Sequence, residues 1–126
     1  MEKHISPTAA APAPIGPYSQ AVMVNGTLYM SGQIAINPST GEVFKGAIEG
    51  ETAMVMQNIG GVLQASHMDY THIVKTTIFL KDMNDFAVVN EAYGSYFKDD
   101  FPARETVQVS RLPKDVNVEI SCIAVK

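Results

Sequence analysis

Arginine is rare in this chain, and one of its two copies, Arg104, follows a segment that stiffens the backbone. Pro102 fixes its own φ and biases Phe101 away from helical conformation. The residues after Arg104 alternate in polarity as a strand does. A guanidinium held at the start of a strand can bind a carboxylate through two parallel hydrogen bonds, so Arg104 is a candidate carboxylate clamp.

A second charged residue, Glu119, lies in the last predicted strand. A cation that holds an acid and a carboxylate that moves a proton make a minimal catalytic site. We predict that Arg104 and Glu119 meet on or beside the helix-free face of adjacent strands. The alternative is a cross-strand salt bridge, worth about 0–1 kcal/mol if it is exposed.

The remaining reactive side chains show weaker patterns. His4, His67 and His72 lack metal-ligand spacing, so we expect no metal site. Cys122 has the helix-facing parity of its strand and is interpreted as a small buried hydrophobe.

Length and composition limit the class of protein. We expect 126 residues to form one domain, spanning residues 1–126. A net charge of −4 argues against a protein that binds phosphate backbones. One cysteine cannot form an internal disulfide, no apolar run reaches the ~20 residues of a membrane span, and the N-terminus lacks a signal peptide's apolar region. These features together predict a cytoplasmic protein.

The periodicities predict seven elements in the order β-β-α-β-α-β-β. They are a hairpin around Asn25-Gly26, a helix from Glu49 to about Ser66, a strand over residues 73–80, a helix with a stripe at Phe86, Val89 and Tyr93, the Arg104 strand, and a strand over residues 116–125. Right-handed crossovers place both helices on one face of the sheet.

Alternation assigns the strand residues to two faces. The helices are expected to cover Leu28, Met30, Ile34, Val107, Val109, Val118 and Ile120. The other face is expected to carry Ser31, Gln33, Thr106, Gln108 and Glu119, with the apolar Tyr29, Ile123 and Val125. Such a half-apolar face predicts self-association in a closed oligomer.

Glycines mark two further points. Gly32 interrupts a strand, which indicates close approach of backbone or ligand. Gly60 and Gly61 weaken the first helix by about 1 kcal/mol each, which suggests that this helix lies close against the sheet.

Five motifs, in order along nearly the whole chain, resemble the reactive intermediate deaminase (RidA) family. They are IGPYSQ from Ile15, SGQ from Ser31, VKTTIFL from Val74, FPAR from Phe101, and RLPKD from Arg111 followed by VEI from Val118. The resemblance implies an α+β fold like that of bacterial chorismate mutase, with a mostly antiparallel sheet. It also implies a homotrimer, with its sheets inward and its sites in the clefts between subunits. No cofactor and no metal are implied.

The activity implied is hydrolysis of 2-imino or enamine acids, such as 2-iminopropanoate and 2-iminobutanoate, to 2-oxo acids and ammonia. By position, Arg104 is similar to the family's carboxylate-binding arginine, and Glu119 to the glutamate that positions the attacking water. The remaining substrate-binding positions implied are Tyr18, Ser31, Gly32, Asn90 and Thr106. Thr106 stands where many members have a cysteine.

Two other functions remain open at this point. The same residues could serve a non-catalytic protein that binds and senses small 2-oxo acids such as 2-oxobutanoate. The ribonuclease role ascribed to some relatives is the least attractive because the chain is acidic and has no basic stripe.

Overall fold

The order of elements in the computed structural model, which describes all 126 residues, is the predicted one. The helices and strands are β1 (Ala21–Val24), β2 (Thr27–Gln33), α1 (Ile48–Ala65), β3 (Ile73–Leu80), α2 (Phe86–Gly94), β4 (Ala103–Gln108) and β5 (Val118–Val125). No helix is long and apolar enough to cross a membrane.

The strands form one sheet in the order β1-β2-β5-β3-β4. β1 and β2 form the predicted hairpin, and the positive φ angles of Asn25 and Gly26, 48° and 80°, are those of a type I′ turn. β5 is the central strand and pairs antiparallel with β2 and β3, while α2 connects β3 to its parallel neighbour β4. The predicted α+β class with a mostly antiparallel sheet is therefore confirmed, whereas the homotrimer stays a prediction.

Both helices pack on one face of the sheet and enclose the main core. Apolar residues of α1, such as Val55 and Ile59, are fully buried against inward side chains of β5, such as Val118 and Ile120. Cys122 is 4% exposed in this core, which confirms its interpretation as a buried hydrophobe. Burial raises the pKa of its thiol to about 12.

The side-chain parity predicted for β4 is wrong. Thr106 pairs with Ile78 and Gln108 with Leu80, so both polar residues share the helix-side parity of the buried β3 residues. Val107 is instead 40% exposed on the helix-free face. The apolar pattern misled because β4 is an edge strand, where the helix-side residues lie at the margin of the core.

The parity predicted for Ile34 also fails. The register of β2 against β5 shifts between Met30 and Gln33, so that three steps along β2 match two along β5. This bulge reverses the alternation that follows it. Ile34 consequently lies outside the main core, in a smaller cluster with Ile36, Leu112 and Val116.

The prediction that Gly60 and Gly61 bring α1 close to the sheet is wrong, because their close neighbours lie outside the sheet. A Cβ atom on Gly61 would lie 2.8 Å from the carbonyl carbon of Ala10, and one on Gly60 would lie 3.1 Å from Cζ of Tyr70. The neighbour of Gly61 is the N-terminal arm, residues 7–14. Gln20 holds this arm because its amide donates to the carbonyl oxygens of Thr8 and Pro12 at 3.0 and 2.9 Å.

Glu51, in the first turn of α1, joins that helix to β5. Its buried carboxylate accepts hydrogen bonds from the backbone N–H groups of Asn117 and Val118 and from the Asn117 amide, at 2.8, 3.0 and 2.8 Å. Hydrogen bonds to an ionised acceptor are among the stronger ones in proteins. Glu51 therefore fixes where β5 begins, immediately before Glu119.

Candidate active site

Arg104 lies near the start of β4 and points to the side of the sheet that carries α2. Its Nη1 donates a hydrogen bond of 2.7 Å to Oδ1 of Asn90. Its Cζ lies 5.3 Å from the ring centroid of Tyr93 and 5.7 Å from that of Phe86. Both distances fall within the range of cation–π attraction, so the guanidinium is held by three residues of one helix.

No carboxylate neutralises Arg104 within the chain. The neighbouring Glu105 pairs with Lys75 at 3.0 Å, and neither Glu105 nor Glu119 forms an ion pair with Arg104. The alternative of an Arg104–Glu119 salt bridge is therefore wrong for a single chain. A guanidinium carries five N–H donors, and only one of them is used here, so a two-pronged contact with an outside carboxylate is possible.

A cavity of about 460 Å³ opens beside this guanidinium; we call it the Arg104 cavity. It is lined by Asn90, Tyr93, Gly94, Phe101, Pro102 and Arg104. One cation, one amide and aromatic walls suit a small acid with a modest apolar part.

Glu119 lies in a second cavity, of about 260 Å³, which we call the Glu119 cavity. Its walls include Ile15, Tyr18, Gln20, Ser31, Gly32, Gln33, Ile34 and Pro113. A Cβ atom on Gly32 would lie 2.7 Å from Cδ of Glu119, so the group that approaches Gly32 closely is a side chain, where we expected backbone or ligand. The glycine leaves room for the carboxyl group at the β2 bulge.

Two further predicted residues lie in the Glu119 cavity. Tyr18 is 49% exposed, and its hydroxyl accepts a hydrogen bond from the backbone N–H of Ile15. Ser31 donates through its hydroxyl to the carbonyl oxygen of Ser19 at 2.6 Å. The Ile15–Tyr18 turn and the β2 bulge are thereby fastened to each other around the carboxyl group.

Burial raises the pKa of the Glu119 carboxyl above its usual value of 4.5. A carboxylate with a raised pKa is a better proton acceptor than an exposed one. The carboxyl group forms no side-chain hydrogen bond within the chain, which leaves it able to bind a water molecule or a ligand.

The structure separates the two charged residues that we expected to meet. β3 lies between β4 and β5, with Thr76 opposite Arg104 and Phe79 opposite Glu119. Two strand spacings and three residues along the strand place their Cα atoms about 14 Å apart. Arg104 also shares a face with the buried Thr76, whereas Glu119 has the opposite parity. One chain therefore contains two half-sites that do not meet.

Thr106, the seventh predicted residue, follows Arg104 on the same face of β4. Its hydroxyl oxygen is buried and has no hydrogen-bond partner. It lies in neither cavity's lining, so its predicted contact with a ligand stays a prediction.

Sequence reasoning placed Phe86 and Tyr93 in the apolar stripe of the second helix, where Tyr93 is indeed buried in the core, but missed that both lie beside Arg104. A signal was present, since Phe86, Asn90 and Tyr93 stand at i, i+4 and i+7 on one face of α2. The structure brings together no group of three His, Cys, Asp or Glu side chains that could hold a metal ion.

Comparison with known proteins gives four concordant matches. The model of the family described as Endoribonuclease L-PSP matches residues 8–126. The human 2-iminobutanoate/2-iminopropanoate deaminase is 47% identical over 124 residues, which cover 98% of this chain and 90% of the human protein. Two solved structures share the fold over nearly their whole length. A protein of the conserved Rid family from Yersinia pestis has a TM-score of 0.96 and 49% identity, and covers 99% of this chain and 100% of its own. TdcF of E. coli, solved with bound serine, has a TM-score of 0.93 and 39% identity, with 98% of each chain covered.

Proposed function

This chain belongs to the Endoribonuclease L-PSP (Rid) family, and on that basis we propose that it hydrolyses small 2-imino acids to 2-oxo acids and ammonia. The substrates that we propose are 2-iminopropanoate and 2-iminobutanoate. The observation that carries the proposal is the Arg104 guanidinium, which is held by α2, opens into a cavity and has no carboxylate partner in its own chain. The name of the human relative and the serine bound to the E. coli relative support a small amino-acid-like ligand.

The proposed chemistry requires little from the protein, because C2 of an imino acid is already electrophilic. Arg104 binds the substrate carboxylate, with about 1.5–3 kcal/mol from each charge-assisted hydrogen bond. Glu119 orients a water molecule and accepts its proton as the water oxygen bonds to C2. Glu119 returns this proton to the nitrogen, which also takes the proton of the new C2 hydroxyl as the C2–N bond breaks, so that ammonia leaves and the carbonyl of the 2-oxo acid forms. General-base action of this kind typically contributes about 10²–10⁴-fold.

We further propose that the two half-sites are joined between subunits of a homotrimer. Arg104 and Glu119 cannot act on one small molecule within a chain because they lie on opposite faces of the sheet. The helix-free face exposes Tyr29, Val107 and Val125, and such apolar area favours burial against another copy. A head-to-tail ring would place the Arg104 cavity of one subunit against the Glu119 cavity of the next.

The activity is tested by coupling the protein to a dehydratase that produces the imine from threonine or serine. We expect the wild type to accelerate 2-oxo acid release and Arg104→Ala not to. A wild type that binds 2-oxobutanoate but gives no acceleration would instead indicate a non-catalytic sensor of 2-oxo acids.

The shared site is tested by mixing two inactive variants. Arg104→Ala and Glu119→Gln are unfolded together in equal amounts and refolded, with each variant refolded alone as the control. In random trimers, about one interface in four combines an intact Arg104 with an intact Glu119, so about a quarter of wild-type activity should return. No recovery in a mixture shown to contain mixed trimers would place the whole site within one subunit and overturn this arrangement.

A further inference from the structure

A buried pair of hydroxyl groups lies directly behind Arg104. Oγ1 of Thr76, in the middle of β3, is 2.8 Å from Oη of Tyr93, in the last turn of α2. The two residues are 1% and 3% exposed. Both belong to the same chain and are covered without any partner subunit.

The pair is tied to Arg104 by the register of the sheet. Thr76 is the residue of β3 directly opposite Arg104 on β4, so the two side chains stand next to each other on one face. The ring that Thr76 holds through its hydroxyl is the ring over which the guanidinium lies, at 5.3 Å. The pairing of Thr76 with Arg104 therefore places the guanidinium next to the hydroxyl group that holds the Tyr93 ring.

A core role alone would not require the hydroxyl groups. Valine has nearly the shape of threonine, and phenylalanine would fill the same space as the Tyr93 ring. Burying two hydroxyls is favourable only when they bond to each other. The bond fixes the tilt of the ring, and burial raises the pKa of the Tyr93 phenol, which stays neutral beside the cation.

We propose that Thr76 and Tyr93 are positioning residues for the carboxylate clamp. Their hydrogen bond holds the Tyr93 ring under the Arg104 guanidinium, while Asn90 accepts a hydrogen bond from one edge of that guanidinium. The remaining N–H groups are thereby pre-oriented toward a ligand carboxylate. This inference rests on the proposed function, since it assigns Arg104 to carboxylate binding.

The test is a double-mutant cycle with 2-oxobutanoate binding, measured by calorimetry, as the readout. Tyr93→Phe and Thr76→Val each remove one hydroxyl and keep the shape. We expect each to weaken binding about fivefold, the equivalent of one net hydrogen bond. The double variant should bind no more weakly than either single variant, because both hydroxyls act through one bond. Its thermal stability should partly recover, since no hydroxyl is left unpaired.

Two controls separate positioning from packing. Tyr70→Phe removes another partly buried phenol hydroxyl, which donates to the Met56 carbonyl at 2.7 Å away from Arg104, and should leave binding unchanged. Thr76→Ser keeps the hydroxyl and should bind as the wild type does. If Tyr93→Phe does not fold, this serine variant compared with Thr76→Val decides the question.

The outcomes that overturn the proposal are specific. Binding within 1.5-fold of wild type in Tyr93→Phe and Thr76→Val, with only stability lowered, would leave the pair a packing element. Additive losses in the double variant would show that the hydroxyls act separately. Arg104→Ala that binds 2-oxobutanoate as well as the wild type would refute the carboxylate clamp itself, a result distinct from the other two.

Discussion

Replacing Gly32 with alanine is the sharpest test of how Glu119 is positioned. The added Cβ would lie 2.7 Å from Cδ and 3.0 Å from Cγ of Glu119. Ordinary carbon–carbon contact begins at about 3.5 Å, so the carboxyl group must move by about 1 Å. The Gly32 backbone lies outside the left-handed region, and Glu119 can move by side-chain rotation alone, so the variant should fold with a melting temperature close to that of the wild type.

A displacement of about 1 Å in a reacting group can cost about 10²-fold in rate. We therefore expect kcat of Gly32→Ala to fall about 10²-fold, while binding of 2-oxobutanoate to the Arg104 half-site changes little. The measurement combines the coupled dehydratase assay with calorimetric binding. A lowered kcat with unchanged affinity for 2-oxobutanoate indicates a misplaced Glu119, whereas loss of the Arg104 clamp would lower the affinity.

The matched control is Gly50→Ala in the first turn of α1. Its Cβ would lie 2.7 Å from Cζ of Phe44, which is the same conflict with a flexible side chain outside both half-sites. This variant should keep its kcat. The reasoning would be refuted if Gly32→Ala kept kcat within threefold of wild type while Glu119→Gln was inactive.

Three further predictions concern the two half-sites and the start of β5. Arg104→Lys should weaken 2-oxobutanoate binding more than tenfold in calorimetry, because a point charge cannot form the two parallel bonds of a guanidinium; wild-type affinity would contradict the clamp. The raised pKa of Glu119 means that the folded state holds its proton more tightly, so wild-type stability falls as pH rises from about 4.5 through the raised pKa. Glu119→Gln should therefore melt above wild type at pH 7, and the difference should vanish below pH 4.5; a constant difference across that range would refute the assignment. Glu51→Ala should lower the free energy of unfolding by about 3 kcal/mol in urea titrations, because the buried N–H group of Val118 and the partly buried one of Asn117 lose their acceptor. A loss below 1 kcal/mol would show that water replaces the carboxylate.

The sequence predicted the strands well where the alternation of apolar and polar residues matches the burial of the strand by neighbouring elements. β3 has the predicted bounds, and the inward residues of β5 are the predicted ones, because a central strand is buried by α1 on one face and alternates regularly. At β4 the same alternation failed, since an edge strand has few neighbours to enforce its apolar face. Gly32 marked the bulge that changes the parity of Ile34, but we interpreted this glycine only as a point of close approach.

The site was predictable as a set of residues but not as an arrangement. The family resemblance supplied Arg104, Glu119, Tyr18, Ser31, Gly32 and Asn90, and the structure places all six in one or the other cavity. Local pattern gave no indication that β5 returns between β2 and β3. The order of the strands determines which residues can meet. It separates Arg104 from Glu119, which we had expected to be in contact, and leaves them in two half-sites.

The thiol of Cys122 has a practical consequence for experiments on this protein. Burial raises the pKa of this thiol to about 12, so almost no thiolate is present at pH 7, and the sulfur is shielded in the central strand. Alkylating reagents should therefore reach it only when the sheet opens. The chain has no second cysteine, so labelling occurs at this one atom and its rate measures how often β5 opens. Mass spectrometry can follow the labelling without any substitution in the chain.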